Sequence, residues 1–192
     1  MRFTHTLAAI ALGAVLAVPA AYAQQVKDLF NKSSADQKID NADAAAMKQL
    51  AQANLNEIEG GKGAAAKAQN PQVKQFAQKM VTDHQQMLNE LQTLAKSKGV
   101  ALPTSGSLKD QAQMKIMENT AGADFDKKYM EQMVKEHQKD VQETQDLLAK
   151  AKDPQFKAAV QKAHAKIQQH LQLAQRIASQ TGAAAGGTSS KK

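Results

Sequence analysis

Two hexapeptides carry the residue types best suited to chemistry: Met80-Val81-Thr82-Asp83-His84-Gln85 and Met133-Val134-Lys135-Glu136-His137-Gln138. They share the form M-V-x-[DE]-H-Q and begin 53 residues apart, at Met80 and Met133. At about 100° of rotation per helical residue, each histidine stands roughly 40° from the methionine four positions earlier. Met and His of each pair therefore face one way, and two facing helices could bring two imidazoles and two thioethers together. Thioether with imidazole suits copper, Cu(I) above all. Asp83 and Glu136 diverge from their neighbouring histidines by about 100°. They are placed to reach another helix, or a histidine on it, rather than to share an ion with the residue next to them.

Further polar residues fall on inward faces: Asn54 and Glu57, then Asp126, Asp140 and Thr144, and His170 at the border of the last apolar stripe. Buried polar groups are costly unless paired, so such a layer requires either a hydrogen-bond network or a bound ion. The candidate ligands are His84, His137, His170, Glu57, Asp83, Asp126, Glu136, Met80 and Met133, for copper or another divalent transition-metal ion. The competing reading makes Met80 and Met133 ordinary core packing. In that reading His84 and His137 are core histidines bonded to Glu57, Asp126 or each other. His164 lies on the other flank of its stripe and reads as a surface or boundary residue. The serines sit at caps and in the tail, which argues against a Ser-His-Asp site.

The elements that must position these groups are helices. Hydrophobic residues make up 42% of the chain but aromatic ones only 4%, and Ala, Leu, Met, Gln and Lys dominate over β-branched residues. Asn41 is placed to cap a first helix with the row Met47, Leu50, Ala51, Asn54, Ile58, Gly61 and Ala65. Asn70-Pro71 is a restart with Asn as N-cap and Pro at the first helical position. The second row is Val73, Phe76, Ala77, Met80, His84, Met87, Leu91 and Leu94, closed by Gly99. Ser107 and Asp110 mark a shorter helical segment with Leu108, Ala112, Ile116 and Met117, broken or kinked at Gly122. Phe125, Tyr129, Met133, His137, Thr144 and Leu147 continue to about Lys152. Asp153-Pro154 repeats the restart, and Phe156, Val160, Ala163, Ile167, Leu171, Ala174 and Ile177 run to a stop at Gly182. The pattern predicts an all-α, antiparallel four-helix bundle with an extra helical segment before the third long helix. Its domain spans residues 41–182, after a polar segment at 24–40 and before a low-complexity tail at 183–192 expected to be disordered.

Residues 1–23 read as a signal peptide: Arg2 and His5, an apolar run from Leu7 to Val18, and the small-x-small site Ala21-Tyr22-Ala23. Cleavage after Ala23 implies a periplasmic or secreted protein without a transmembrane span, since the apolar run is shorter than the roughly 20 residues a bilayer requires. The whole chain carries 25 Lys+Arg against 18 Asp+Glu, a net +7, and removal of Arg2 leaves +6. With basic residues dispersed along helices, and no basic-aromatic interleaving, the charge argues against nucleic-acid binding and for weak association with anionic envelope surfaces. The chain has no Cys, which excludes disulfides, thiolate ligation and a lipobox anchor.

The succession N-E-I-E at 56–59, N-P-Q-V-K-Q-F-A-Q-K-M-V-T-D-H at 70–84, L-A-K-S-K-G-V-A-L-P at 94–103, F-D-K-K-Y-M at 125–130, His137, and H-L-x-x-A at 170–174 resembles the DUF4142 family. The resemblance implies a ferritin-like fold and an envelope location, with little mechanism attached. Many members are described as outer-membrane proteins, whereas this chain, with neither lipobox nor barrel strands, reads as soluble in the periplasm. It departs from the ferritin di-iron pattern, having no E-x-x-H on its histidine helices. The reading is a non-enzymatic, stress-related envelope binding protein with copper-like metal binding. A metal-dependent oxidoreductase of ferritin-like ancestry and a purely structural interaction module are the alternatives.

Overall fold

The computed structural model describes residues 39–107 and 120–183. The signal-peptide reading, nearly all of the polar 24–40 segment, the expected short helix from residue 108 onward and the tail from residue 184 lie outside them. Four helices are present: α1 (Asn41–Lys67), α2 (Pro71–Ser97), α3 (Gly122–Lys150) and α4 (Pro154–Gln180). No strand occurs among the described residues.

The start of α1 shifts by one residue from expectation. Asp40, not Asn41, is the N-cap, and its carboxylate accepts the Asp43 N–H at 2.8 Å. The two proline restarts form as expected: Asn70 accepts from Gln72 and Val73, and Asp153 from Gln155 and Phe156. Gly122 does not kink a continuing helix but begins α3, at a φ of 65°. That helix ends at Lys150 rather than Lys152.

The two helical hairpins repeat each other at an interval of 83 residues, from Pro71 to Pro154. The same interval relates Gly99 (φ 67°) to Gly182 (φ 70°), each in the left-handed region that favours glycine. It also relates the closing bonds Val100 N–H to Ala95 O (2.9 Å) and Ala183 N–H to Ala178 O (2.8 Å). Ala183, assigned to the tail by composition, is therefore packed in the core. Asp43 and Asp126 are counterparts as well. Asp43 accepts the N–H groups of Lys152 and Asp153 at 3.0 and 2.7 Å, and Asp126 those of Gln69 and Asn70 at 3.2 and 2.7 Å. Each hairpin thus holds the tight turn of the other. Asp43→Ala and Asp126→Ala are each expected to cost about 2 kcal/mol in urea denaturation, because either removes a buried carboxylate that accepts two N–H groups of the other hairpin's turn. A loss confined to one variant would show that the two clamps are not equivalent.

Helix α1 packs mainly on α2, and α3 on α4. The hairpins meet through α2 and α4, while α1 and α3 scarcely touch. Two apolar clusters result. One holds Phe76, Met80, Phe125, Tyr129 and Met133; the other holds Met47, Leu88, Leu91, Phe156 and Val160. The expected rows are correct in their centres and drift at their edges. Leu50, Ala65, Met87, Leu94, Leu147 and Leu171 are half-buried, and Ala64, Leu88, Ala95, Met130, Val134 and Ala178 are buried in addition. Strict steps of three and four average 3.5 residues per turn, so the true inward face rotates away from them along a straight helix. Leu50, Met87 and Leu147 line the gap left between α1 and α3.

Candidate metal centre

Between the two apolar clusters, α2, α3 and α4 each contribute one histidine to the bundle interior. His84, His137 and His170 are 3%, 0% and 0% exposed. Their ring centroids lie 6.0 Å (His84–His137), 5.2 Å (His84–His170) and 5.5 Å (His137–His170) apart.

One nitrogen of each ring is held by an oxygen that fixes its proton. Asn54 donates its amide to Leu50 O at 2.7 Å, so its Oδ1 faces His84 Nδ1, 3.0 Å away, and Nδ1 must donate. His137 Nδ1 donates to the Met133 carbonyl at 2.9 Å. His170 Nε2 donates to Asp83 Oδ2 at 2.8 Å. The remaining nitrogens, His84 Nε2, His137 Nε2 and His170 Nδ1, are buried and without a hydrogen-bond partner. In neutral rings each is a bare lone pair.

One nitrogen from each histidine lies within 4.8 Å of the others. Donors about 2.0–2.1 Å from a tetrahedral ion stand about 3.4 Å apart, so the three rings must draw together to hold one. Oxygen acceptors behind metal-ligating imidazoles are the usual means of orienting them. Here they are an amide, a helix carbonyl and a carboxylate.

The electrostatics keep these rings neutral. Burial, reinforced by His170 and His137, puts the His84 pKa well below its ordinary 6.5. Burial and then His170 bring His137 to about 4. Burial also lowers His170, against the opposing pull of Asp83. For Asp83, burial alone would raise the pKa, but hydrogen bonds from His170 and Lys79 outweigh it and bring the carboxyl to about 2. Lys79 Nζ is 2.8 Å and Lys166 Nζ 3.7 Å from the same oxygen.

The other expected ligands fall into different places. Asp83 reaches a histidine on another helix, as its angular position indicated, and stands behind the site rather than in it. Asp126 binds the turn before α2 instead of a histidine. Glu57 and Glu136 line the space between α1 and α3, where Glu136 accepts from Gln132 at 2.8 Å. Met80 and Met133 pack in the apolar cluster with Phe76 and Tyr129. The group that converges is three imidazoles, with His170 completing it. Among the described residues it is the one cluster of three or more His, Asp or Glu side chains arranged to hold an ion. His164, read as a boundary residue, bonds through Nδ1 to Thr144 Oγ1 at 2.8 Å. The six-residue spacing from His170 turns it about 120° around α4 and about 9 Å along it, away from the cluster.

A family model described as a domain of unknown function, DUF4142, matches residues 29–177. The chain belongs to the DUF4142 family. Comparison with curated proteins and with solved structures produced no match. The described residues of this DUF4142 protein form an all-α four-helix bundle, whose histidine cluster differs from the carboxylate-rich di-iron arrangement of ferritin-like proteins. No helix among the described residues is long and apolar enough to cross a membrane.

Proposed function

We propose that this DUF4142 protein is an exported, non-enzymatic envelope protein that binds one transition-metal ion through His84 Nε2, His137 Nε2 and His170 Nδ1. Two observations carry the reading: one nitrogen of each of the three rings lies within 4.8 Å of the others, and each ring has one nitrogen bonded to an oxygen and the other buried without a partner. Three neutral imidazoles that each keep a bare nitrogen form a donor set that a cation can satisfy. Imidazole donors suit copper, zinc, iron and nickel, and copper stands at the top of the divalent affinity order. The signal-peptide pattern of residues 1–23 supports export to the compartment where copper is handled.

Elemental analysis of protein purified from the periplasm, followed by titration with Cu(II) and Fe(II), tests the reading. The wild type is expected to bind one copper per chain, and the His84→Ala, His137→Ala double variant none. Equal metal content in both preparations would assign the histidines to the packed core alone.

A further inference from the structure

His84 and His137 leave Nε2 without a partner, whereas His170 leaves Nδ1. The exception has a local cause. His170 lies on α4, and its Nε2 reaches across to α2, where Asp83 Oδ2 stands 2.8 Å away. An ionised carboxylate only accepts, so the ring's proton is fixed on Nε2 and the lone pair is left on Nδ1. The oxygens behind the other two rings belong to an amide and a helix carbonyl. Asp83 is the charged acceptor of the three.

Two cations share the same oxygen. Lys79 Nζ, from α2, lies 2.8 Å and Lys166 Nζ, from α4, lies 3.7 Å from Asp83 Oδ2. Their side chains are 43% and 35% exposed, so the network runs inward from two solvated ammoniums, through a carboxylate, to a fully buried ring. A carboxylate behind a ligating imidazole raises its basicity as a ligand, because negative charge at the N–H pushes electron density toward the other nitrogen. Ammoniums on that carboxylate draw the charge the opposite way. The fields at His170 show the opposition: after burial, which lowers its pKa most, Asp83 raises it and Lys79 and Lys166 lower it.

We infer that Asp83 is a positioning residue that makes His170 a metal ligand through Nδ1, and that Lys79 and Lys166, acting from the surface through Asp83, weaken the site's hold on divalent copper. The inference rests on the metal-binding reading above and adds to it the residues that choose one ligand's donor atom and tune the site's affinity. It also gives the first hexapeptide, Met80 to Gln85, a division of labour: His84 is a ligand, and the residue before it holds a ligand on another helix.

The test is Cu(II) affinity of the full chain, measured by competition with a chelator at neutral pH, together with the Cu(II)/Cu(I) potential. Asp83→Asn keeps an oxygen acceptor in place and removes the charge. It is expected to bind Cu(II) about 10- to 100-fold more weakly, at a raised potential. The Lys79→Met, Lys166→Met double variant is expected to bind it about two- to fivefold more tightly, the size of effect that partly exposed ion pairs carry, at a lowered potential. Opposite signs are the signature, because a salt-bridge network that merely braced the helices would be weakened in the same direction by losing either partner. Unchanged or weaker binding in the lysine variant would remove the tuning role. Unchanged affinity and potential in Asp83→Asn would overturn the positioning role and leave the metal site standing. Absence of copper from the wild type would reject the metal site itself, and this inference with it.

Discussion

His137→Leu is expected to abolish stoichiometric copper binding while leaving the metal-free bundle at least as stable as the wild type. Losing an oxygen acceptor behind a ligating histidine already costs about 10–100-fold in affinity; losing one of three ligands outright should cost at least about 100-fold. The stability half of the prediction follows from the bare nitrogen. His137 is fully buried, and its Nε2 has no partner. An unpaired buried polar atom costs about 1–3 kcal/mol, and leucine fills a similar volume without one. The bond given up, from Nδ1 to Met133 O, releases a carbonyl inside a helix whose backbone ladder already occupies it. A gain on the order of 1 kcal/mol is therefore expected in urea denaturation with a chelator present.

With copper present the order should invert. Free copper at about a thousand times its dissociation constant adds about 4 kcal/mol to the wild type and nothing to a variant that cannot bind. A crossing of the two stabilities on metal addition is the signature of residues kept for binding at the expense of the apo fold. A large loss of stability in metal-free His137→Leu would instead make the imidazole a structural element, held by its edge contact with Phe76.

The sequence disclosed the chemistry of the site more fully than its assembly. The i, i+4 spacing of Met80 with His84 and Met133 with His137 placed both imidazoles inward, and the 100° divergence of Asp83 indicated a partner on another helix. Periodicity cannot show the distance between faces. Nothing along the chain therefore distinguished a set of two histidines and two methionines from three histidines. The hexapeptide repeat is not the structural repeat. Its interval of 53 residues pairs α2 with α3, whereas the hairpins repeat at 83. In the true repeat the counterparts of His137, His84 and His170 are Asn54, Ile167 and Met87.

Those three counterparts line the cavity between α1 and α3, as does His84 itself, and the imidazoles are divided between the hairpins, His84 on the first and His137 and His170 on the second. The same space explains why Leu50, Met87 and Leu147 are less buried than their periodicity implied. An amphipathic pattern assumes that a neighbour closes each side of the bundle, and the α1–α3 side is left open. Asp126 was correctly placed on an inward face, but its backbone partners at residues 69–70 depend on turn geometry that side-chain spacing does not encode.

Metal-free protein is expected to lose stability as pH falls from about 6.5 to about 4. The unfolded chain protonates its histidines near their ordinary pKa of 6.5, whereas folded His137 resists until about 4 and His84 and His170 are also lowered. Across that window the unfolded state binds more protons, so falling pH favours it. The stability associated with the neutral rings is present above 6.5 and is lost on the way down. For His137 alone the loss by pH 4 is on the order of 3 kcal/mol.

Asp140 opposes this trend. Burial raises its carboxyl to about 7, against Lys139 and with help from Glu143 and Glu136, so between about 7 and its ordinary 3.8 it is the folded state that binds the extra proton. Three lowered imidazoles against one raised carboxyl make the net slope downward below pH 6.5. Asp83, at about 2, contributes stability that is lost only below pH 3.8 and leaves this window unchanged. Two variants separate the opposing groups in chelator-treated urea titrations. His137→Leu should flatten the decline between pH 6.5 and 4, and Asp140→Asn should steepen it, because the neutral amide removes the compensating proton uptake. Stability that held level or rose over that range in the wild type, with Asp140→Asn showing the same profile, would mean that the three rings are not held neutral by burial. The bare lone pairs on which the metal centre depends would then be protonated instead.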